Sequence, residues 1–187
     1  MTFTRALSTN FTGMDATQAA AAAEVALEEL PVAVRRVIDT AMLAGIPYSL
    51  RRLPSKAVDP ESIATACGTE PGALARGLVF RGKATRKPML VLASATTNVD
   101  ERALAQIVGE VLERVDAATT ERITGFPPEC LPPFSLARRL PIIMDQTLVE
   151  LGRVWCMAGS PDLIMSVPTG ILTSAIAARI ARIDSSR

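Results

Sequence analysis

Four prolines within seven residues restrict the backbone more strongly than any other feature of this sequence. Pro127, Pro128, Pro132 and Pro133 lie in the segment TGFPPECLPPF, which begins at Thr124. Proline fixes φ and has no backbone N–H, so this segment cannot continue a helix or occupy the middle of a sheet. We therefore predict a rigid loop between ordered elements, which is a common place for a substrate pocket.

Short strands and short helices alternate along the rest of the chain. Six stretches have the apolar and β-branched composition of strands: YSLRRL, LARGLVFRG, PMLVLAS, PIIMD, GRVWCMA and DLIMSV. Asp100 and Asp116 precede helical segments that each end at a glycine, and RIARI near the C-terminus fits a helix or a last strand. The mixture predicts a single α+β domain over residues 31–187 and not a doubly wound fold. Residues 1–30 are expected to form an arm and an Ala-rich helix, a candidate homodimer contact.

The absence of histidine excludes several classes of enzyme. The chain has 187 residues, a net charge of +1 and no histidine. Without an imidazole there is no Ser-His or Cys-His pair and no His-based zinc site. Catalysis would have to use backbone donors, carboxylates, Lys or Arg, hydroxyls or the substrate itself.

Composition also indicates a cellular compartment. The three cysteines are far apart and form no C-x-x-C pair, which is typical of reduced thiols in a cytoplasmic protein. No apolar run reaches the roughly 18 residues of a membrane span, and the N-terminal sequence lacks the apolar core of a signal peptide. We therefore expect a cytoplasmic protein with no membrane partner.

Local basic clusters leave two interpretations open. They comprise Arg35-Arg36, Arg51-Arg52, Arg138-Arg139, and Arg76 with Arg81, Lys83, Arg86 and Lys87. A local basic face is sufficient to bind the acceptor end of a tRNA, because phosphate contacts dominate nucleic-acid affinity. The same residues could equally be solvated surface charges.

The order of several motifs resembles the YbaK/ProX/EbsC family, the aminoacyl-tRNA editing domains related to the insertion domain of bacterial prolyl-tRNA synthetase. The resemblance rests on GIPYSLRRLP, ESIATACG, ALARGLVFRGKATRKPMLVLAS, TGFPPECLPPF, LPIIMD and RVWCMAG, and spans roughly residues 32–183. It implies a partly barrel-like mixed sheet with flanking helices, and a trans-acting deacylase that hydrolyses mischarged aminoacyl-tRNA, most plausibly tRNA-Pro. It also implies no metal or cofactor, and makes prolyl-tRNA synthetase a candidate partner.

The resemblance assigns roles to particular residues. Arg76 stands where the family has a functional lysine, and Glu129-Cys130 stands where it has Gly-Gly before a fixed proline, matched by Pro133. Arginine keeps its proton, so Arg76 can act as a phosphate donor or polarise the ester carbonyl, but not as a base. Glu129 can bind an amino group or activate water, or it is a solvent-facing loop residue.

The remaining candidates line the expected pocket. Asp145 matches a family aspartate and is either catalytic or a helix N-cap. The expected substrate-binding residues are Gly125, Phe126, Cys130, Leu131, Pro132, Pro133, Ala158, Gly159 and Ser94. Arg76 and the 124–134 loop are expected to face one cavity. Cys130 is not expected to be a nucleophile, because no histidine is present to activate it.

Two further functions remain open. A family member without the lysine can bind an aminoacyl-tRNA end, or a small ligand, without hydrolysing it. Alternatively, the Ala-rich helix over residues 16–30 pairs two chains of a structural protein.

Overall fold

The computed structural model describes residues 30–55 and 57–184, which form one mixed sheet with helices on both faces. The strands are β1 (Ser49–Arg52), β2 (Leu74–Gly82), β3 (Pro88–Ser94), β4 (Leu112–Arg114), β5 (Ile142–Asp145), β6 (Arg153–Ser160), β7 (Leu163–Pro168) and β8 (Arg179–Ala181). Their order is β1-β7-β6-β2-β3-β5-β8, with β4 paired to β2 beside this path. The order does not close on itself, and the predicted α+β class is confirmed.

The helices are short and begin where the sequence supplies caps. They are α1 (Val32–Leu43), α2 (Pro60–Cys67), α3 (Glu101–Val108), α4 (Ala117–Thr124), α5 (Gln146–Val149) and α6 (Thr169–Ala175). Asp59, Asp100 and Asp116 each accept a backbone N–H in the first turn of the helix that follows. Left-handed glycines end the same three helices, as predicted for the two that follow Asp100 and Asp116.

The side chains of β2 alternate between two faces of the sheet. On the α1 face, Ala75 and Val79 join the main core with α1 and the proline-rich loop. On the opposite side, here called the Arg76 face, Leu78 and Phe80 pack with α3, and Leu74 packs with α2. Side chains alternate between faces along a strand, so Arg76 lies on the second face and Gly77 on the first.

Two features were not determined by sequence patterns. The three-residue strand β4 was not predicted, because LER has no alternation long enough to indicate a strand. RIARI, which fitted either a helix or a strand, contributes β8, which pairs with β5 in parallel. The expected N-terminal arm and Ala-rich helix lie outside the described residues, apart from buried Leu30.

None of the helices within residues 30–55 and 57–184 is long and apolar enough to cross a membrane.

Candidate functional site

Arg76 projects from the middle of the sheet on the face opposite α1. Its side chain is exposed, and its Nη2 atom donates a hydrogen bond of 2.7 Å to the backbone oxygen of Thr97. Partial burial, and secondarily the positive charge of Arg114, lowers the pKa of Arg76 from its usual value. A guanidinium has five N–H donors, so the bond to Thr97 leaves donors available for a ligand.

Asp145 holds the segment to which Arg76 is bonded. Its carboxylate is 1% exposed and accepts hydrogen bonds from the Thr97 hydroxyl at 2.5 Å, the Ser94 N–H at 3.2 Å and the Thr147 N–H at 3.1 Å. Asp145 is therefore the N-cap of α5 and the anchor of residues 94–97, and its recorded hydrogen bonds include none to Arg76.

Arg114 is a cationic residue near Arg76 that sequence reasoning missed. Its guanidinium lies 5.5 Å from the centroid of the Phe80 ring, and Phe80 and Arg114 are directly paired between β2 and β4. Phe80 is on the Arg76 face, so Arg114 is on that face too. The sequence around Arg114 shows only an arginine three residues after an apolar residue. This pattern is too common in proteins to identify Arg114 as a candidate site residue.

The edge of β2 nearest the proline-rich loop is interrupted. β6 pairs with β2 at Leu74–Ala75, β4 pairs with it at Phe80–Gly82, and the Val115 N–H bonds to the Val79 oxygen. Between these points Leu131 packs against Gly77: a Cβ added to Gly77 would lie 2.8 Å from the Leu131 Cδ2 atom. The loop thus contacts β2 at Gly77, the residue after Arg76, but on the face of the sheet opposite the Arg76 side chain.

Most side chains of the proline-rich loop are part of the core. Cys130, Leu131, Pro132 and Pro133 are buried, whereas Glu129 is exposed. Burial, and secondarily the charges of Glu129 and Asp162, raises the pKa of the Cys130 thiol to about 11. A ligand approaching this loop would meet Pro128 and Glu129 rather than the buried side chains.

The two ends of the predicted substrate-binding set pack against each other. Phe126 is 1% exposed and occupies the space that a side chain on Gly159 would need. A Cβ added to Gly159 would lie 2.8 Å from the Phe126 Cε1 atom. Gly159 has φ +91° at an irregularity of the β6–β7 pairing, and Ala158 beside it is buried. Gly125 ends α4 with φ +80°. Phe126 and Gly159 thus pack against each other, whereas Gly125 is exposed at the end of α4.

Two cavities lie near predicted residues. One of about 400 Å³ is lined by Thr69, Glu70, Gly72, Ala73, Ser94, Thr96, Thr147, Leu151, Gly152 and Arg153. The Ser94 hydroxyl there donates to the Gly72 oxygen at 2.8 Å. The other, of about 290 Å³, is lined by Pro133, Phe134, Ser135, Leu136, Arg138, Arg139, Leu140, Ile142, Ala175 and Ile176. Arg76 lines neither of these two cavities, and Pro133 lines only the second.

Part of the predicted basic cluster is neutralised. Arg81 and Arg86 both contact the Glu113 carboxylate, at 2.5 and 2.9 Å. Glu110 accepts the Thr85 hydroxyl and two backbone N–H groups of the β2–β3 turn. The hydrogen bond from the Thr85 hydroxyl is the main cause that lowers the pKa of Glu110 below its usual range. The hydrogen bond from Arg81 is the main cause that lowers the pKa of Glu113. Arg76 lies on the opposite face from Arg81 and is not part of this cluster.

A metal site is not formed by the acidic residues and cysteines that the structure describes. Within residues 30–55 and 57–184, no three Asp, Glu, Cys or His side chains are grouped closely enough to hold an ion.

Comparison with known proteins gives a family and a fold. The sequence profile of the aminoacyl-tRNA editing domain matches residues 55–173. A solved candidate trans-editing enzyme for prolyl-tRNA synthetase is 24% identical, with a TM-score of 0.77 over 84% of this chain and 100% of that one. A scaffold from computational epitope grafting is also 24% identical, with a TM-score of 0.76 and the same coverage. A hypothetical protein, 16% identical over 79% of this chain and 98% of its own, has a TM-score of 0.73. A search of curated proteins gave no match.

Proposed function

The chain belongs to the aminoacyl-tRNA editing domain family, and from that premise we propose that it is a trans-acting deacylase of mischarged aminoacyl-tRNA. The observation that carries this proposal is the setting of Arg76. It occupies the position of the family lysine, is exposed on the sheet, and is held at 2.7 Å by the Thr97 oxygen. A fixed cation at that point is suited to an ester or a phosphate, both of which offer oxygen acceptors.

The reaction is the hydrolysis of an ester. Water attacks the carbonyl carbon, the carbonyl oxygen becomes an oxyanion, and the bond to the ribose oxygen breaks to give a free amino acid and a tRNA hydroxyl. Arg76 can stabilise the oxyanion but cannot remove a proton from water, because a guanidinium stays protonated. Glu129 is exposed, but its loop packs against the other face of β2 from Arg76, so we propose that the proton passes to solvent water, or that the substrate's own side chain attacks in place of water.

Asp145 has a different role in this proposal from the catalytic one considered first. Its carboxylate is buried and accepts three hydrogen bonds, one of them from Thr97. Thr97 in turn accepts from Arg76. We therefore assign Asp145 as a positioning residue, which fixes the oxygen that orients the Arg76 guanidinium.

Several finer assignments belong to the same proposal. The substrate is a mischarged tRNA-Pro, prolyl-tRNA synthetase is the partner, and the compartment is the cytoplasm. Residues 31–187 form the editing domain, and the predicted homodimer contact within residues 1–30 lies, apart from Leu30, outside the described residues. Glu129 is exposed where the family has a glycine, so it adds a negative charge to the surface of the loop.

A second function has one observation in its favour. The cation at the lysine position is an arginine, which cannot lose a proton to act as a base. The protein would then bind an aminoacyl-tRNA end, or a small ligand, without turnover.

Deacylation of a panel of mischarged tRNAs by the purified protein separates these functions. Release of amino acid from at least one of them supports the deacylase, and we expect Arg76→Ala to slow it about 10²–10³-fold. Arg76→Lys should raise activity if the chemistry needs a compact amine, and lower it if Arg76 is a planar clamp. Unaltered deacylation by Arg76→Ala would remove Arg76 from the mechanism. Binding without release from any tRNA would support the second function.

A further inference from the structure

We propose that Arg76 and Arg114 together form a phosphate-binding site on the Arg76 face of the sheet, which takes a phosphodiester of the tRNA acceptor end. This inference rests on the proposed function for the identity of the ligand. It adds Arg114, which no sequence motif singled out, and it assigns phosphate rather than the ester carbonyl to the pair.

The placement of the two side chains follows from strand register. Arg76, Leu78 and Phe80 alternate onto one face of β2, and Arg114 is paired with Phe80 across β2 and β4. The Arg114 guanidinium lies over the Phe80 ring at 5.5 Å, so this exposed side chain lies against the sheet. Both cations therefore lie on the same face of the sheet, Arg76 from β2 and Arg114 from β4.

Neither arginine has a carboxylate partner. Among residues 30–55 and 57–184, no Asp or Glu oxygen lies within salt-bridge distance of Arg76 or Arg114. Glu113, the neighbour of Arg114, contacts Arg81 and Arg86 instead. The positive charge of Arg114 contributes to the lowered pKa of Arg76, so each charge acts on the other. Two like charges left without a counter-ion favour an anionic ligand.

The donors of the two groups suit a phosphodiester. The Arg76 guanidinium donates one side-chain hydrogen bond among the described residues, to the Thr97 oxygen. The Arg114 guanidinium contacts the Phe80 ring and makes no side-chain hydrogen bond to the described residues. The remaining N–H groups can bond to two non-bridging oxygens, the geometry in which arginine binds phosphate. A single-stranded tRNA end would also find an apolar surface beside them, formed by Leu78 and the half-buried Trp155 and Met157.

The chemistry of the substrate selects phosphate over the amino acid. In an aminoacyl-tRNA the carboxyl group is esterified and uncharged, and the α-amino group carries no negative charge. The phosphodiesters of the acceptor strand are the anions common to every such substrate. An arginine pair therefore contributes affinity for the tRNA whichever amino acid is attached.

The test compares Arg114→Gln with Arg122→Gln, which removes the same charge from an exposed position on α4. The first measurement is the affinity for an uncharged tRNA-Pro transcript between low and physiological salt. We expect Arg114→Gln to weaken binding about tenfold and to reduce the slope of log K against log salt by about 0.7, the value for one phosphate of a single strand. Arg114→Lys should keep most of the slope, and Arg122→Gln should resemble the wild type.

The second measurement uses substrates that differ only in phosphate. Arg114→Gln should lower kcat/KM for an aminoacyl-tRNA by a clearly larger factor than kcat/KM for the phosphate-free aminoacyl-adenosine. Equal affinity and salt slope for Arg114→Gln and Arg122→Gln, in folded proteins with matching circular dichroism, would overturn the proposal. If the wild type hydrolyses no ester but Arg114→Gln still loses affinity and slope, the deacylase proposal fails and the phosphate site stands.

Discussion

Leu131 of the proline-rich loop occupies the space that a side chain on Gly77 of β2 would need. A Cβ at Gly77 would lie 2.8 Å from Leu131 Cδ2, 3.0 Å from Leu131 Cγ and 3.3 Å from Leu90 Cδ1. Real Cβ atoms do not approach that closely, so the glycine allows the loop to pack onto β2 where neither β4 nor β6 is paired with it. The residue next to Arg76 thus fixes how near the loop can come.

Gly77→Ala should therefore destabilise the fold by about 1–3 kcal/mol, the usual cost of overpacking a core. Urea unfolding followed by circular dichroism would measure the change. Gly170→Ala is the matched control, because a Cβ there meets nothing within 4 Å and the residue lies in α6. It should be neutral or stabilising by up to about 1 kcal/mol. A Gly77→Ala protein as stable as the control would contradict the close packing of Leu131.

Asp145→Ala should cost about 2–4 kcal/mol, because it leaves two buried donors and the partly buried Thr147 N–H without their acceptor. Thr97→Val removes one of these bonds and should cost about 1 kcal/mol. In the positioning role, both variants should also lower kcat for deacylation without changing its pH profile. Loss in Asp145→Ala of an inflection that the wild-type pH profile shows would instead assign Asp145 to proton transfer.

Stability should be nearly constant between about pH 5 and 8, because no histidine titrates in that range. The folded pKa values of Asp59, Glu110, Glu113 and Asp116 are lowered, mainly by hydrogen bonds to their carboxylates. Their stabilisation is present above the unfolded pKa values near 4 and is lost as pH falls through the lower folded values. Urea midpoints from pH 3 to 8 would check this; a step between pH 6 and 7 would contradict it.

The three described thiols should react slowly with alkylating reagents in the native protein at pH 7.5. Burial raises the pKa of Cys67 and of Cys130 to about 11 and that of Cys156 to about 12, so the reactive thiolate is scarce. The same three groups should lose stabilisation only in alkali, as pH rises from the unfolded value near 9 through the folded ones. The control is the urea-unfolded protein, which should react quickly. Rapid native labelling of Cys130 would show that the loop opens.

Local features of the fold were predictable because they depend on neighbours in sequence. Aspartate caps before α3 and α4, left-handed glycines after them, and a rigid loop at the four prolines each follow from the chemistry of a few adjacent residues. The family resemblance, carried by ordered motifs, was sufficient for the fold class and for tRNA editing. Strand β4 escaped prediction because three residues carry no periodicity.

The arrangement of the candidate site depended on contacts between distant segments. The sequence placed Arg76 and the proline-rich loop in one site, but alternation along β2 puts Arg76 on one face and the Leu131 contact on the other. Basic residues adjacent in sequence also differ in charge balance, because Arg81 and Arg86 meet Glu113 whereas Arg76 meets no carboxylate in the described part of the chain. Sequence alone therefore determined which residue types were available. Only tertiary pairing, which joins β2, β4 and the segment before α3, decided that Arg114 lies on the same face as Arg76 and that the Asp145 carboxylate bonds to Thr97.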